Sequence, residues 1–426
     1  MLLKFTVQNY RSIREEAAVN FVAATLKEHS EILIPSRYAD FGVLPVIVIY
    51  GANASGKSNT LLALSRIRQL VINSFRRAES GPINIPKFLL DDYSANEPTR
   101  FVVDFINSDI RYQFGTEIDD GLVASEWLYQ YPNKTKQILY ERTNKEIKFG
   151  RALTGSNRQI HTITSPNALF LSAAATSAHP VLTPISNFFR NKVILQLTTD
   201  TGTPEGVAQV LEADENLRRD VVGYLTLADT GIADIQIERS EIPEDTRIEL
   251  TEFMGALKKL IGNPPDEAQL PSDTHNFKIK LGHTSADEKI RFLDYYDESL
   301  GTKYLLKLLP PVLGALKTGS VLVLDEITTG LHTLLARRLV SLFHNKNLNK
   351  HGAQLVFTTH DTNLLAPGLL RRDEIWFAEK GRDGSTTIFP LTDIATKNTD
   401  NIERGYISGR FGGIPFVPDD GTSIHD

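Results

Sequence analysis

One run of eight residues combines the types that a phosphate-binding loop needs. Residues 51–58 read Gly-Ala-Asn-Ala-Ser-Gly-Lys-Ser. Glycine lets successive backbone N–H groups turn toward a polyanion, the lysine reaches the β- and γ-phosphates, and the serine hydroxyl is placed to ligate Mg²⁺. This phosphate loop therefore predicts a site for a nucleoside triphosphate, with the candidate binding residues Gly51, Asn53, Ser55, Gly56, Lys57, Ser58 and Asn59.

The neighbours of the loop decide what the pattern means, because so short a pattern also occurs by chance. The apolar run Val46–Tyr50 comes directly before it, and the apolar residues Leu61, Leu62 and Leu64 follow. A buried strand before the loop and a helix after it are the context that this chemistry requires. The alternative, an ordinary glycine-rich turn, does not account for both neighbours.

Two acids follow a second apolar run. Val321–Leu324 has the continuous Val/Leu composition of a buried parallel strand, and Asp325 and Glu326 come next. The carboxyl edge of such a sheet is where α/β proteins bind ligands. We predict that Asp325 joins Ser58 in holding Mg²⁺ and that Glu326 orients and polarises the attacking water. A surface acidic pair is the alternative interpretation of these two residues alone.

A histidine and a polar turn complete the predicted set. The segment from Gln354 is predicted to be another buried strand that ends in His360, which fits a neutral imidazole that hydrogen-bonds the terminal phosphate or the water. A lone histidine is usually structural, so this interpretation depends on its position after the strand. The turn Ser299-Leu300-Gly301 precedes a predicted helix, whose N-terminal N–H groups and dipole predict a second anion site.

The periodicity around these motifs predicts three regions. Residues 1–10 and five segments between residues 101 and 149 alternate like strands, with Asn, Asp and Gly turns between them, which predicts an antiparallel sheet. The apolar spacing then becomes helical, over Val207–Leu225 and again over Phe253–Ile261. Neither sustained heptads nor an internal repeat occurs, so we expect no long coiled coil. The predicted domains are an N-terminal lobe at residues 1–150, a mainly helical insertion at 151–275 and a C-terminal lobe at 276–426.

The composition restricts the function classes. The chain has 426 residues, 41% hydrophobic and 23% charged, which suits a globular protein of two or three domains. It has no cysteine, and its ten histidines lack metal-ligand spacing. The charge of −6 argues against a wholly basic nucleic-acid binder. The densest basic group is interpreted as a solvated helix surface and consists of Arg66, Arg68, Arg76 and Arg77. We see neither a signal peptide nor an apolar stretch of about 20 residues, so we expect a cytoplasmic protein without membrane contact.

Together these residues resemble the head of an ATP-binding-cassette (ABC) type ATPase of the SMC, RecF and OLD (overcoming-lysogenisation-defect) class. The shared order is Asn9-Tyr10-Arg11-Ser12 at a strand end, the phosphate loop, the Ser299-Leu300-Gly301 signature turn, the acidic pair and His360. Residues 169–175, 325–327 with 330–332, and 405–415 further resemble a bacterial subfamily with RloA-type and AbiL-type members, similar to the ATPase subunit of the PARIS phage-defence pair. The resemblance implies an α/β fold class, namely an ABC-type P-loop AAA ATPase head with an antiparallel β subdomain and a helical insertion.

The resemblance also implies an assembly and further site residues. Two heads are expected to sandwich two ATP molecules in a homodimer or a higher homo-oligomer, with Ser299 and Gly301 of one copy completing the γ-phosphate site of the other. Arg11 is the candidate for contact with adenine. His332 either lies at the seam between the copies or is a simple helix-capping or surface residue, and both interpretations have equal weight. Gln113 is a poor candidate for the glutamine that such ATPases carry.

The function expected on these grounds is a Mg²⁺-dependent ATPase whose closed, ATP-bound dimer is a signalling state. Its candidate catalytic residues are Lys57, Glu326 and His360. By family analogy it would be the sensor of a phage-defence system. Residues 361–426 are too few for the nuclease that many OLD-class proteins carry, so we expect the output to pass through a separate effector protein. The tail segment, residues 404–415, either docks such a partner or, on the favoured interpretation, packs as a plain loop.

Two rival functions stay open at this stage. A DNA-repair ATPase of the RecF/SMC type would clamp duplex DNA, with ATP hydrolysis stimulated by DNA and binding that weakens steeply with salt. A non-enzymatic scaffold would bind ATP tightly and turn it over negligibly. The intact Glu326 and His360 make the scaffold the weakest of the three hypotheses.

Overall fold

The structure is a computed structural model that describes residues 1–197, 203–241, 275–397 and 400–414, together with the isolated residues 245 and 252. The chain forms two compact units. Unit 1 consists of Met1–Thr199 and Ala315–Asp426, and unit 2 is Asp200–Gly314. This division differs from the predicted boundaries after residues 150 and 275, because the helices and the strand between residues 157 and 196 pack within unit 1.

The described strands and helices have the following bounds. The strands are β1 (Leu2–Gln8), β2 (Ala17–Asn20), β3 (Ile34–Ser36), β4 (Ala39–Val43), β5 (Val46–Tyr50), β6 (Thr99–Asn107), β7 (Ile110–Asp119), β8 (Leu122–Tyr131), β9 (Gln137–Thr143), β10 (Glu146–Phe149), β11 (Val193–Gln196), β12 (Ile232–Glu241), β13 (His275–Thr284), β14 (Ile290–Asp294), β15 (Val321–Leu324), β16 (Gln354–Thr358), β17 (Ile375–Lys380) and β18 (Thr386–Pro390). The α-helices are α1 (Lys57–Asn73), α2 (Asp92–Asn96), α3 (Asn157–Ile163), α4 (Phe170–Thr176), α5 (Leu182–Lys192), α6 (Pro204–Ala213), α7 (Glu215–Leu227), α8 (Leu300–Thr318), α9 (Thr333–His344) and α10 (Ile402–Ile407).

A six-stranded sheet organises unit 1, in the order β11-β15-β16-β5-β17-β18. Its strands are parallel except for β18, which runs antiparallel to β17. Every residue of β5, β15 and β16 is buried, which is why β5 and β15 are continuous apolar runs in the sequence and β16 is apolar between Gln354 and Thr358. Since β15, β16 and β5 are parallel neighbours, their carboxyl ends meet at one edge of the sheet.

The second large sheet of unit 1 is antiparallel, in the order β10-β9-β8-β7-β6-β1-β2. Its strands β6 to β10 correspond to the five alternating segments of the sequence, and the chain reverses at each of the turns between them. The inward side of β6 and β7 carries Phe101, Phe105 and Phe114, all of them buried. The prediction of an antiparallel β subdomain is confirmed.

Helix α1 links this sheet to the phosphate loop. It packs against β1 and against α4 and α5, so apolar residues of both sheets belong to one hydrophobic core. Aromatic rings tie α5 to β6: the ring of Phe105 stacks on Phe188 with 4.3 Å between centroids and meets the edge of Phe189 at 5.3 Å. The first residues of α1 are thereby held by the packing of the whole unit.

Unit 2 contains α6, α7, the first part of α8 and a three-stranded antiparallel sheet in the order β12-β13-β14. Strand β12 lies inside the region that was predicted to be mainly helical. Its apolar residues Ile232, Ile235 and Ile237 fit neither period well, and pairing with β13 makes the segment a strand. The helical face predicted over Phe253–Ile261 lies outside the described residues.

The predicted fold class is confirmed as an α/β head with an antiparallel subdomain and an inserted unit that contains helices. Over the described ranges the longest helix is α8, with 19 residues, so this part of the chain contains no long coiled-coil arm. None of the helices that the structure describes is both long enough and apolar enough to cross a membrane.

Candidate functional site

The phosphate loop leaves β5 and enters α1 through two left-handed residues. Ala54 has φ = 61° and Gly56 has φ = 103°. A Cβ added at Gly51 would lie 2.4 Å from the backbone oxygen of Ala378, and one added at Gly56 would lie 2.1 Å from Oγ1 of Thr386. Neither position has space for a side chain, and the left-handed backbone of Gly56 also favours glycine. Such a glycine-rich turn before a helix can direct several backbone N–H groups at an anion.

The Lys57 ammonium folds back over this loop. Its Nζ atom donates to the backbone oxygens of Gly51 and Ala52, at 3.0 and 3.1 Å, and lies 3.0 Å from Nε2 of His360. Burial lowers the pKa of the Lys57 ammonium, and the carboxylates of Glu326 and Asp325 oppose that shift. Lys57 thus has a partner for each of its three donors and holds its positive charge above the loop.

The Ser58 hydroxyl and the Asp325 carboxylate face each other. Oγ of Ser58 donates to Oδ1 of Asp325 at 3.0 Å. At metal–oxygen distances of about 2.0–2.1 Å, neighbouring oxygens of an octahedral Mg²⁺ shell lie about 2.9 Å apart. This pair therefore fits two adjacent positions of such a shell. The described residues contain no cluster of three or more His, Asp or Glu side chains that could hold a metal. Mg²⁺ is commonly bound by one or two protein groups with phosphates and waters, which this pair also satisfies.

Glu326 follows Asp325 in a left-handed backbone conformation, with φ = 58°. Such a conformation is uncommon for a residue with a side chain and costs about 1–2 kcal/mol. It directs Oε1 of Glu326 to within 3.0 Å of Nε2 of His360. A non-glycine residue held in this way at a sheet edge is typical of functional sites.

One nitrogen of His360 therefore has two neighbours, and it has to accept a hydrogen bond from one and donate a hydrogen bond to the other. Nε2 can accept a hydrogen from Lys57 only when it carries none, and it can donate to Glu326 only when it carries one. The two contacts consequently alternate with the tautomer or protonation state of the imidazole. His360 links the lysine of the loop to the carboxylate predicted to act on water, so these three candidate catalytic residues lie together.

Thr358 is a site residue that the sequence analysis missed. Its buried hydroxyl donates to Oδ1 of Asp325 at 2.6 Å and accepts the backbone N–H of Glu326 at 2.8 Å. Thr358 thus holds both acids from the neighbouring strand. Its position two residues before His360, at the end of a buried strand, was the available signal.

The remaining predicted loop residues have different environments. Asn53 is exposed, while Ser55 is buried and its Oγ has no hydrogen-bond partner among the described residues. A buried hydroxyl without a partner is what a bound ligand or water would satisfy. The Asn59 amide donates to Oγ of Ser12 at 2.7 Å. Arg11 is exposed and left-handed, with φ = 52°, and its guanidinium lies 5.8 Å from the ring centroid of Tyr10.

The signature turn belongs to unit 2. Oγ of Ser299 accepts the backbone N–H of Thr302 at 3.1 Å, so Ser299 caps the N-terminus of α8. Leu300 is 81% exposed, and Gly301 lies in the first turn of the helix. The turn is therefore an accessible helix N-terminus of the kind that binds anions.

The structure shows the contacts of two further residues. Nδ1 of His332 accepts the backbone N–H of Leu334 at 3.2 Å. His332 therefore caps α9, which agrees with the helix-capping interpretation. Gln113 lies on β7 and donates to Oδ2 of Asp104 at 3.1 Å. That bond occupies the Gln113 amide within the antiparallel sheet.

The tail segment begins within α10 and continues as a loop after Ile407, as far as residue 414. Tyr406 and Phe411 are buried, and the Tyr406 ring stacks on Phe377 with 5.4 Å between centroids. The Tyr406 hydroxyl donates to the backbone oxygen of Gly413 at 3.0 Å. Pro415, the last residue of the predicted segment, lies outside the described residues. The packed-loop interpretation accounts for these contacts.

Two of the four clustered arginines bind the fold itself. The guanidinium of Arg68 donates to the backbone oxygens of Phe189 and Arg190, at 2.9 and 3.2 Å. Arg66 donates to the backbone oxygen of Asn84. These two side chains are engaged within unit 1, so they are more than the solvated surface predicted from the sequence.

Comparison with known proteins gives one family and several distant structures. The family model described as "AAA domain, putative AbiEii toxin, Type IV TA system" matches residues 46–177 and 184–366. A comparison with curated proteins finds no significant match.

The similar solved structures are heads of SMC proteins. The SMC head domain from Thermotoga maritima is 13% identical with a TM-score of 0.41, over 93% of this chain and 99% of that one. An SMC head bound to the C-terminal winged-helix domain of ScpA is 14% identical with a TM-score of 0.43, over 91% and 97%. An SMC head with an extended coiled coil, bound to the C-terminal domain of ScpA derived from Pyrococcus furiosus, is 14% identical with a TM-score of 0.37, over 91% and 96%.

Proposed function

The chain belongs to this family of AAA domains, since the match spans well over half of its length, and we propose that the protein binds ATP with Mg²⁺ and hydrolyses it to ADP and phosphate. The observation that supports the proposal is the meeting of Lys57, Glu326 and His360 around one imidazole nitrogen, with 3.0 Å to each partner. The Ser58–Asp325 pair lies at the same sheet edge. A neutral structural cluster would have no need of a lysine, two acids and a glycine-rich loop in one place.

The proposed roles follow from the chemistry of each group. The backbone N–H groups of the loop and the Lys57 ammonium hold the phosphates. Ser58 and Asp325 would hold Mg²⁺, which when bound neutralises charge that develops on the phosphate oxygens. Glu326 accepts a proton from the attacking water, and His360 hydrogen-bonds the terminal phosphate or that water.

Binding of ATP has to rearrange the contacts of Lys57. Its three donors are satisfied by two loop carbonyls and His360, and a triphosphate competes for the same ammonium with stronger, charge-assisted bonds. Once Lys57 turns to the phosphates, Nε2 of His360 is released to hydrogen-bond Glu326 or the ligand. The imidazole would therefore report whether the loop is occupied.

The assembly we propose is a homodimer, or a higher homo-oligomer, closed by ATP. In it, Ser299 and Gly301 of one copy complete the γ-phosphate site of the other. The cap that Ser299 gives to α8, and the exposure of Leu300 beside it, support an anion site that a second copy could present. Hydrolysis would then reopen the dimer.

We further propose that this dimer is the sensor of a bacterial phage-defence system of the RloA/AbiL and PARIS type and acts through a separate effector protein. The proposal depends on the resemblance of the sequence motifs, since folds of this kind serve many functions. Deleting the gene in a host that keeps the neighbouring genes should remove resistance to phage, measured as plating efficiency. Unchanged plating would contradict it.

A matched set of variants tests the ATPase. Lys57→Ala should abolish ATP binding, whereas Glu326→Gln should bind ATP, lose about 100-fold or more of its turnover, and accumulate as a dimer in light scattering. Glu288→Gln is the control, because Glu288 is exposed and also left-handed, with φ = 61°. Wild-type turnover in Glu326→Gln would refute the assignment of the base, and a wild-type protein that does not bind ATP would refute the function.

The same protein preparation distinguishes the proposed function from that of a DNA clamp. A clamp requires ATP hydrolysis that duplex DNA stimulates, and DNA binding that weakens steeply as salt rises. We expect neither, in part because Arg66 and Arg68 already donate to backbone carbonyls.

A further inference from the structure

Three side chains outside the predicted catalytic set form a chain of hydrogen bonds that ends on the phosphate loop. The Asn59 amide donates to Oγ of Ser12 at 2.7 Å. Oγ of Ser12 lies 2.7 Å from Oγ1 of Thr386, which in turn lies 2.8 Å from the backbone oxygen of Ser55. Thr386 and Ser55 are both buried. Ser12 and Thr386 lie outside the residues that the family model matches.

The chemistry of the groups fixes the direction of this chain. A backbone oxygen can only accept, so the single hydrogen of the Thr386 hydroxyl goes to Ser55. The Ser12 hydroxyl must then donate its own hydrogen to Thr386, and it accepts one from Asn59. Each hydrogen has one acceptor, and the bonds run in one direction from helix α1 to the loop. Such chains strengthen each member by polarisation.

The last bond of the chain orients a peptide group of the loop. In a trans peptide the C=O and the following N–H point in opposite directions. Because Thr386 draws the Ser55 oxygen toward β18, the N–H of Gly56 is turned the other way, away from Thr386. That N–H is one of the groups that a phosphate-binding loop offers to its ligand.

Contacts beside the hydrogen bond fix Thr386 in turn. Its backbone N–H donates to the backbone oxygen of Ser12 at 2.7 Å, so β18 is fastened to the turn after β1. A Cβ atom added at Gly56 would lie only 2.1 Å from Oγ1 of Thr386, so Thr386 fills that space. Thr386 therefore contacts the loop at both Ser55 and Gly56.

We infer that Thr386, acting with Ser12, is a positioning residue that sets the Ser55–Gly56 peptide for phosphate binding. The inference rests on the proposed function, because it concerns how the same site binds ATP. Thr386 does not touch the acidic pair or His360 through any of these bonds, so its role is confined to affinity. It lies on an edge strand and carries no charge, which is why no motif marks it.

The test measures binding of fluorescent ATP and ADP analogues to the full chain. Thr386→Val keeps the shape of the side chain and removes its hydroxyl, and it should weaken binding of both nucleotides about tenfold, the usual consequence of leaving a buried carbonyl without its donor. Thr386→Ser restores the hydroxyl and should bind within about twofold of the wild type. Thr387→Val, at the exposed neighbouring position, should bind as the wild type does.

Further readouts separate positioning from a merely structural role. Thr386→Val should raise KM about tenfold and leave kcat within about twofold, since the groups proposed to act on water are untouched. Ser12→Ala, at a half-buried position, gives a second variant should Thr386→Val fold poorly, and it should weaken binding about threefold. The double variant should bind no more weakly than Thr386→Val alone, because the two hydroxyls form one chain.

The outcomes distinguish this inference from the proposed function. A wild-type chain that binds neither nucleotide would end the proposed function. A wild-type chain that binds both, with Thr386→Val binding equally well, would overturn only the inference. Losses from Ser12→Ala and Thr386→Val that simply multiply would also overturn it.

Discussion

Thr358→Val removes the one hydroxyl that holds both acids of the proposed site. Oγ1 of Thr358 donates to Asp325 at 2.6 Å and accepts the N–H of Glu326 at 2.8 Å. Valine has the same shape, and the position is fully buried, so the fold around it should survive. The change therefore tests whether the arrangement of the acids, rather than their presence, determines turnover.

The structure sets the size of the effect. A hydrogen bond to a charged group contributes about 1.5–3 kcal/mol, and the left-handed backbone of Glu326 costs about 1–2 kcal/mol. Without the bond to its N–H, Glu326 can relax to an ordinary conformation and carry its carboxylate away from His360. We expect the transition state to lose most of the free energy of that hydrogen bond, about 1.4–2.8 kcal/mol, which lowers kcat about 10- to 100-fold.

The assay compares steady-state ATP hydrolysis with thermal unfolding. Thr116→Val is the control, because Thr116 is equally buried and its hydroxyl donates to the backbone oxygen of Ser125 at 2.9 Å, on the antiparallel sheet. It should lose about 1 kcal/mol of stability and keep its kcat. The reasoning is refuted if Thr358→Val keeps a kcat within about twofold of the wild type while it remains folded.

Two further predictions concern buried ionisable groups away from the site. The imidazole of His179 accepts two backbone N–H groups at the start of α5. Burial lowers the pKa of His179 below 6.5. The stabilising contribution of the neutral imidazole is therefore complete above pH 6.5 and is lost as the pH falls below that value. Thermal unfolding at pH 7.5 and 5.5 should show a larger drop for the wild type than for His179→Ala, and equal drops would contradict this. The buried carboxylate of Glu126 lies 3.7 Å from the buried guanidinium of Arg142. Glu126→Ala should cost about 3–5 kcal/mol in denaturant unfolding, because it removes the carboxylate beside that charge and the acceptor of the buried N–H groups of Phe170 and Leu171. The exposed Glu146→Ala should change stability by less than about 0.5 kcal/mol. Similar losses for both would be the contrary result.

The sequence was sufficient for the parts of the fold that short segments determine. The strand Val46–Tyr50 was predicted with the bounds that the structure has, whereas the acid-bearing strand, predicted to end in Asp325 and Glu326, ends at Leu324. A parallel strand that is buried on both faces is mostly apolar, so the interior of such a strand stands out in the sequence. The general rule that ligands bind at the carboxyl edge then predicted that residues after β5, β15 and β16 lie together.

The sequence was insufficient where a contact joins distant residues through groups without charge. The bond from Thr358 to Asp325 spans 33 residues, and the one from Thr386 to Ser12 spans 374. Threonine occurs at many strand positions, so neither residue stands out until the sheet order is known. The left-handed backbone of Glu326 was hidden for a similar reason, since glutamate has no preference for that conformation. Strand β12 depended on its partner β13 in the same way.

The two threonines act on different halves of the proposed site, and this separation is itself testable. Thr386 supports the loop through Ser12 and Ser55, whereas Thr358 holds Asp325 and Glu326, so the two share no hydrogen-bond partner. Changes at sites without shared partners usually add. The double variant of Thr386→Val and Thr358→Val should therefore combine the higher KM of the first with the lower kcat of the second. A kcat for the double variant well below that of Thr358→Val alone would mean that the loop and the acids move as one unit, and that phosphate binding itself arranges the acidic pair.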